Sequence, residues 1–280
     1  MQSRVTRLSQ FFNANTPVAR VTVAEALGST PRETGAWMLV SENGLFGTIG
    51  GGQLELMAIG AARSLLESGK EIADMDVPLG PEIGQCCGGR VKLDIDLLDE
   101  RATDDLFAEA RKEEAGLPQV FVFGAGHVGK ALAEALSLLP VRAILVETRQ
   151  AELDSASADV EKRLCAMPES LVGEAASGSA FIVLTHDHAL DFLIVQQALA
   201  RTDASYIGMI GSKTKRATYL SWHEKEGGAR ADCDRLVCPI GGNVVKDKRP
   251  QVIAALVAAE VVSAVLARNR QVSPAATKRS

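Results

Sequence analysis

The sequence predicts an α/β chain: a small N-terminal α+β domain, then a doubly wound parallel sheet with helices on both faces. Three observations carry this expectation. Residues 1–99 mix short alternating segments with glycine-rich turns and one helical stretch. From Gln119 onward, near-continuous apolar runs alternate with helical patterns, as parallel strands buried on both faces require. Between the two, ERATDDLFAEARKEEAGLP (100–118) is strongly charged and closes on Gly116 and Pro118, which reads as a helix plus linker at a domain boundary.

In the first half, ARVTVAEA (19–26) and AWMLV (36–40) alternate as strands around the loop GSTPRETG. LFGTIGGG leads into Gln53–Ser68, where Leu54, Met57, Ala58, Ala61 and Leu65 recur at helical spacing. RVKLDIDLLD (90–99) alternates apolar and charged residues, the pattern of a half-exposed strand. In the second half, QVFVFG, a helix over about 127–139 and RAILVE form a βαβ unit. FIVLT (181–185), SYIGMI (205–210) and RLVCPI (235–240) are the later strands, with helices near 188–200, 213–226 and 250–268 between and after them. The domain so defined spans 119–270, and residues 271–280 read as a disordered tail.

Bulk properties narrow the function classes. With 280 residues, 46% hydrophobic and 23% charged, the chain has the composition of a globular protein. A net charge of −5 argues against nucleic acid as the main partner. The N-terminus lacks an apolar run of signal-peptide length, and the most apolar stretch, 252–267, is interrupted by Glu260 and Ser263 and reads as too short for a bilayer. A cytoplasmic protein without membrane contact is expected. Five cysteines in no C-x-x-C spacing argue against both a disulfide framework and a structural zinc site.

Four stretches carry chemistry. In FGAGHVGKA, Gly124, Gly126 and Gly129 have the G-x-G-x-x-G spacing of a Rossmann dinucleotide turn, opening a helix at His127. Glu147 ends the next strand, where an acid would accept a ribose hydroxyl. In THDHALD, His186, Asp187 and His188 stand at the carboxyl end of the sheet with Asp191, suited to touching a ligand, to binding a metal, or simply to capping a helix. In GMIGSKTKR, Gly211 and Ser212 open a helix whose first turns hold Lys213, Lys215 and Arg216, either a phosphate site or a solvated basic face. In TIGGGQLE, Gly50, Gly51 and Gly52 form a possible second phosphate cradle, with Arg32 of the preceding loop as a clamp. No hydrolase nucleophile elbow or Walker loop is present. An NAD(P)-dependent oxidoreductase, with His186 or His188 as acid/base, is the catalytic alternative.

The stretch GQCCGG (84–89) sets Gln85, Cys86 and Cys87 on a backbone too glycine-rich for a packed core. GSTPRETGAWMLV, GTIGGGQLE, GPEIGQCCGG, VFVFGAGHVGKALA, LTHDHALD, YIGMIGSKTKR and CPIGG, taken in that order over nearly the whole chain, resemble the XdhC/CoxI family. The resemblance implies a two-domain protein that binds the molybdenum cofactor, a molybdopterin carrying a phosphate. It further implies support of cofactor sulfuration with a cysteine desulfurase, delivery to the molybdenum-binding subunit of apo xanthine dehydrogenase, and a homodimer. On that reading Cys87, the cysteine directly before the double glycine, is the first candidate for molybdenum ligand or sulfur carrier, and Cys86 the second. The second domain would bind NAD(P) or another nucleotide, or share the cofactor, and a nucleotide there could control cofactor release. Two departures from the family pattern are Glu147 where Asp is usual, with Arg149 close by, and GGNVV after CPI.

Overall fold

The computed structural model describes residues 3–80, 88–242 and 245–272. The chain divides into two compact units between Ala115 and Gly116. The first unit opens with α1 (Arg4–Ala14), whose N-terminus is capped by the Ser3 hydroxyl accepting the Thr6 amide. Five antiparallel strands follow: β1 (Ala19–Leu27), β2 (Trp37–Val40), β3 (Leu45–Gly47), β4 (Ile72–Pro78) and β5 (Arg90–Leu97), in the order β3-β2-β1-β5-β4. Helix α2 (Gly52–Ser68) lays Leu54, Ala58, Ala62 and Leu65 against Val21, Val23, Leu93 and Ile95. The alternation read in the sequence holds on β5, where Val91, Leu93 and Ile95 are buried between exposed Arg90, Lys92 and Asp94.

Helix α3 (Glu100–Ala115) packs in the first unit: Leu106 and Ala110 share a core with Leu8 and Phe11 of α1 and with Leu39. The charged stretch is therefore mostly a folded helix with one buried stripe. Helix α1 and strand β4 have no counterpart in the sequence reading. In β4, IADMDVP, aspartates take the exposed positions and only Val77 is fully buried, so apolar content is too low to signal a strand.

The second unit is a six-stranded parallel sheet: β6 (Gln119–Phe123), β7 (Arg142–Glu147), β8 (Glu161–Leu164), β9 (Ala180–Val183), β10 (Tyr206–Met209) and β11 (Leu236–Val237). The order β11-β10-β9-β6-β7-β8 is that of a classic doubly wound dinucleotide fold, as expected. On β6, Val120 and Val122 face one core with α4 (His127–Leu136) and α9 (Pro250–Val272). Phe121 and Phe123 face the other, with α6 (Leu171–Glu174), α7 (His188–Ala200) and α8 (Lys213–Lys225). The short α5 (Gln150–Asp154) links β7 to β8. Strand β8, EKRL, alternates half-buried and exposed side chains at the sheet edge, which explains its silence in the sequence.

Three boundaries differ from expectation. RLVCPI contributes only Leu236–Val237 to the sheet, because the chain turns at Pro239, which has no N–H for a ladder. Helix α9 runs to Val272, two residues into the expected tail; residues 273–280 lie outside the described ones. The same helix corrects the reading of 252–267 as too short: Pro250–Arg268 is long and apolar enough to cross a membrane by length and composition. Here Ala254, Val257, Ala258, Val261 and Val265 are buried in the core shared with α4. Its one acid, Glu260, accepts from the Tyr206 hydroxyl at 2.7 Å and the Gly241 amide at 3.1 Å.

Candidate functional site

In the first unit, one end of the sheet gathers the glycine-rich loops. Leu27, the last residue of β1, pairs with Arg90, the first of β5, and Arg90 pairs with Pro78, the last of β4. The loop after β1 and the chain between β4 and β5 therefore emerge together. A Cβ on Gly89 would lie 2.5 Å from the Ser29 carbonyl oxygen, so the GG end of GQCCGG is pressed on the β1 loop. Gln85, Cys86 and Cys87 lie outside the described residues. Arg32 comes beside the glycine triplet: a Cβ on Gly50 would meet Pro31 Cβ at 2.5 Å and Arg32 Cγ at 3.4 Å.

The triplet itself already holds an anion, and it is the chain's own. Glu55, one turn into α2, reaches back so that one carboxylate oxygen accepts the amides of Ile49 and Gly51, each at 3.1 Å, and the Thr48 hydroxyl. Gly50 N–H donates to Thr48 Oγ1 at 3.0 Å. An external phosphate would have to displace Glu55 to use these donors. The sequence carried the signal, since Glu55 follows Gly51 by four residues, within capping reach.

Arg32 is a different case. Its guanidinium has no hydrogen-bond or ion-pair partner among the described residues, and it lines an open cleft of about 480 Å³ with Arg4, Trp37, Thr48, Glu109 and Glu113. Arg4 donates to Glu113 at 2.6 Å and sits 4.8 Å from the Trp37 ring centre, so that pair is mutually neutralised. Sequence reading found only Arg32 of this cleft, because its walls come from α1, α3 and the β1–β2 loop.

In the second unit the glycine fingerprint folds as its spacing requires. Gly124 has φ +112°, and a Cβ there would lie 2.4 Å from the Leu184 carbonyl oxygen. A Cβ on Gly129 would lie 1.9 Å from the Gly124 carbonyl oxygen, so this glycine serves helix–strand packing. Gly126 faces open space, and no side chain caps α4, which it precedes. These amides form an anion-accepting end.

Glu147 does not present a free carboxylate. It is 3% exposed and accepts Ala125 N–H at 2.8 Å, the Thr148 amide and hydroxyl, and a two-pronged contact from Arg149. Burial pushes its pKa up, but the Arg149 guanidinium and the Ala125 and Thr148 amides outweigh that and bring it to about 2. The recess between Gly124, Glu147, Thr148, Pro168, Thr185 and Leu190 measures about 10 Å³, room for about one water.

At the neighbouring strand ends, most polar groups are committed. Asp187 caps α7 by accepting Ala189 N–H at 2.8 Å. Asp191, fully buried, accepts the Thr185 amide and hydroxyl and the Lys215 ammonium. Ser212 caps α8 through Lys215 N–H, a Cβ on Gly211 would touch the Lys215 side chain, and Arg216 donates to the Cys233 carbonyl. Of the cations read as a phosphate site, Lys213 is left exposed. His127, His186 and His188 are exposed at this edge, yet no group of three His, Cys, Asp or Glu among the described residues could hold a metal.

Known proteins match this chain over most of its length. Residues 120–261 match a family model described as the XdhC Rossmann domain, and residues 12–75 match the XdhC and CoxI family. The uncharacterized protein YqeB of Escherichia coli is 26% identical over 269 residues, covering 92% of this chain and 45% of YqeB, so the chain spans less than half of that relative. A Bacillus halodurans structure described as a xanthine dehydrogenase has the same fold, with a TM-score of 0.79, 18% identity and 98% coverage of each chain.

Proposed function

This chain belongs to the XdhC and CoxI family, and from that premise we propose that it is an accessory protein for xanthine dehydrogenase, a cofactor chaperone rather than a catalyst. It binds the molybdenum cofactor, supports its sulfuration with a cysteine desulfurase, and passes it to the molybdenum-binding subunit, acting as a homodimer. The observation that carries this reading is the loop edge of the first unit, where the loop after β1 packs on the GG end of GQCCGG and brings its uncommitted Arg32 beside the glycine triplet. An anionic, phosphate-bearing cargo fits that charge, and Cys87, with Cys86 next to it, would offer a soft thiolate to molybdenum or carry the sulfur. Activation of apo xanthine dehydrogenase tests it. Cys87→Ala is expected to fold normally and to lower activation; full activation by the variant removes the cysteine from the account.

A second ligand in the second unit is favoured by one observation, the open uncapped amides at Gly126. A nucleotide or other phosphate ester there, acting as a regulator of cofactor release, is consistent with that end of α4. An NAD-dependent dehydrogenase is disfavoured, because Glu147 has its acceptors filled by Ala125, Thr148 and Arg149 and is not free to accept a ribose hydroxyl. Equilibrium dialysis with NAD, NADP and AMP tests the second ligand, whose binding is expected to shift cofactor affinity.

A further inference from the structure

Helix α9 is apolar on both sides, although the fold covers only one. The residues it gives to the core, among them Val257, Val261 and Val265, lie along one stripe. At about 3.6 residues per turn, the opposite stripe carries Val252, Leu256, Val262 and Leu266, half-buried or exposed, with exposed Ala255, Ala259 and Ser263 between them. Glu260, the only charged residue from 250 to 267, turns to Tyr206 and Gly241 and leaves that stripe uncharged. Of the apolar stretch Pro250–Arg268, only 28% is buried. A helix that is hydrophobic all round is normally covered all round. The core contacts and the Glu260 hydrogen bonds tie α9 to the sheet, so it is not free to leave for a bilayer.

We propose that a second copy of this chain covers the outward stripe, two α9 helices packing across a two-fold axis. The pairs Val252–Leu256 and Val262–Leu266, each four residues apart, form two ridges, and Ala255, Ala259 and Ser263 form a shallow groove between them. A face with both ridges and a groove is complementary to itself, as a two-fold interface requires. Nothing on it would recognise a charged partner. The stripe is about 21 Å long, too small by itself for the ~800 Å² per partner of a stable interface. Leu138, 67% exposed just past the neighbouring α4, adds apolar surface in the same helical layer. The dimer is therefore expected to depend on concentration. The inference rests on the homodimer named above and assigns its interface; it is independent of the cargo.

Analytical ultracentrifugation of the full-length protein over a range of concentrations tests it, with Ala259→Glu and Ala259→Lys, each placing a charge at the centre of the stripe. Ala259 is exposed, so both variants are expected to keep the native circular dichroism. Like charges facing each other in a desolvated interface should raise the dimer dissociation constant about a hundredfold or more. An equimolar mixture of the two variants should dimerise again, because opposite charges then meet. That rescue would fail for any occupant but a second copy. Wild-type dimers that persist unchanged in both variants overturn the face and leave the homodimer standing. A wild type that is monomeric at every concentration overturns both, while cofactor titration and activation of apo xanthine dehydrogenase still decide the chaperone reading. Binding of a monomeric wild type to phosphatidylglycerol vesicles, lost in Ala259→Glu, would overturn the dimer in favour of a membrane surface.

Discussion

Two glutamates do work inside the fold that their positions had suggested they would do for a ligand. Glu147 ends β7 where a ribose-binding acid belongs, yet it ties the glycine loop to Arg149. Its pKa is lowered from 4.5 to about 2, so its contribution to stability is complete above about pH 5 and is lost as the pH falls toward 2. Glu147→Gln leaves the Ala125 and Thr148 amides without their buried anion, while the exposed Arg149 guanidinium returns to solvent, and is expected to cost about 2 kcal/mol at neutral pH by denaturant unfolding. The gap from wild type should narrow as the solution is acidified; a gap independent of pH would assign the loss to packing instead. Glu55 gives a second test. Glu55→Ala frees the Ile49 and Gly51 amides, and a loss of about 1–2 kcal/mol is expected. Added phosphate should then raise the melting temperature of the variant more than that of the wild type.

At the scale of elements, legibility followed burial. Strands β6, β7, β9 and β10 are buried on both faces, so their apolar runs announced them, and the glycine triplet fixed where α4 begins. Strands β4 and β8 sit at sheet edges with charged residues at exposed positions, and α1 buries only Leu8 and Phe11, so none had a strong period to read. The candidate site divides in the same way. Local motifs located Arg32, the glycine turns and the strand-end histidines, but which acceptors were already taken depended on side chains reaching across space. The glycines of α4 separate packing from binding. Gly129→Ala places a methyl against the Gly124 carbonyl and is expected to cost at least about 3 kcal/mol or prevent folding. Gly126→Ala meets open space, so a melting temperature near that of the wild type is expected, with any loss confined to anion binding.

Over the whole molecule, each unit has its own core and its own polar edge. The first unit offers a roomy cleft with an uncommitted arginine; the second offers an uncapped helix end beside a closed recess. That contrast sets the larger open space in the first unit and an open helix end in the second. The most direct measurement is an anaerobic titration of the purified protein with molybdenum cofactor, with NAD as competitor and Cys87→Ala alongside. Saturable cofactor binding that NAD does not abolish and that is weakened in the variant is the result expected of a chaperone whose cargo sits at the GQCCGG edge. Tight NAD binding with no binding of the cofactor would contradict it and return the function to the second unit.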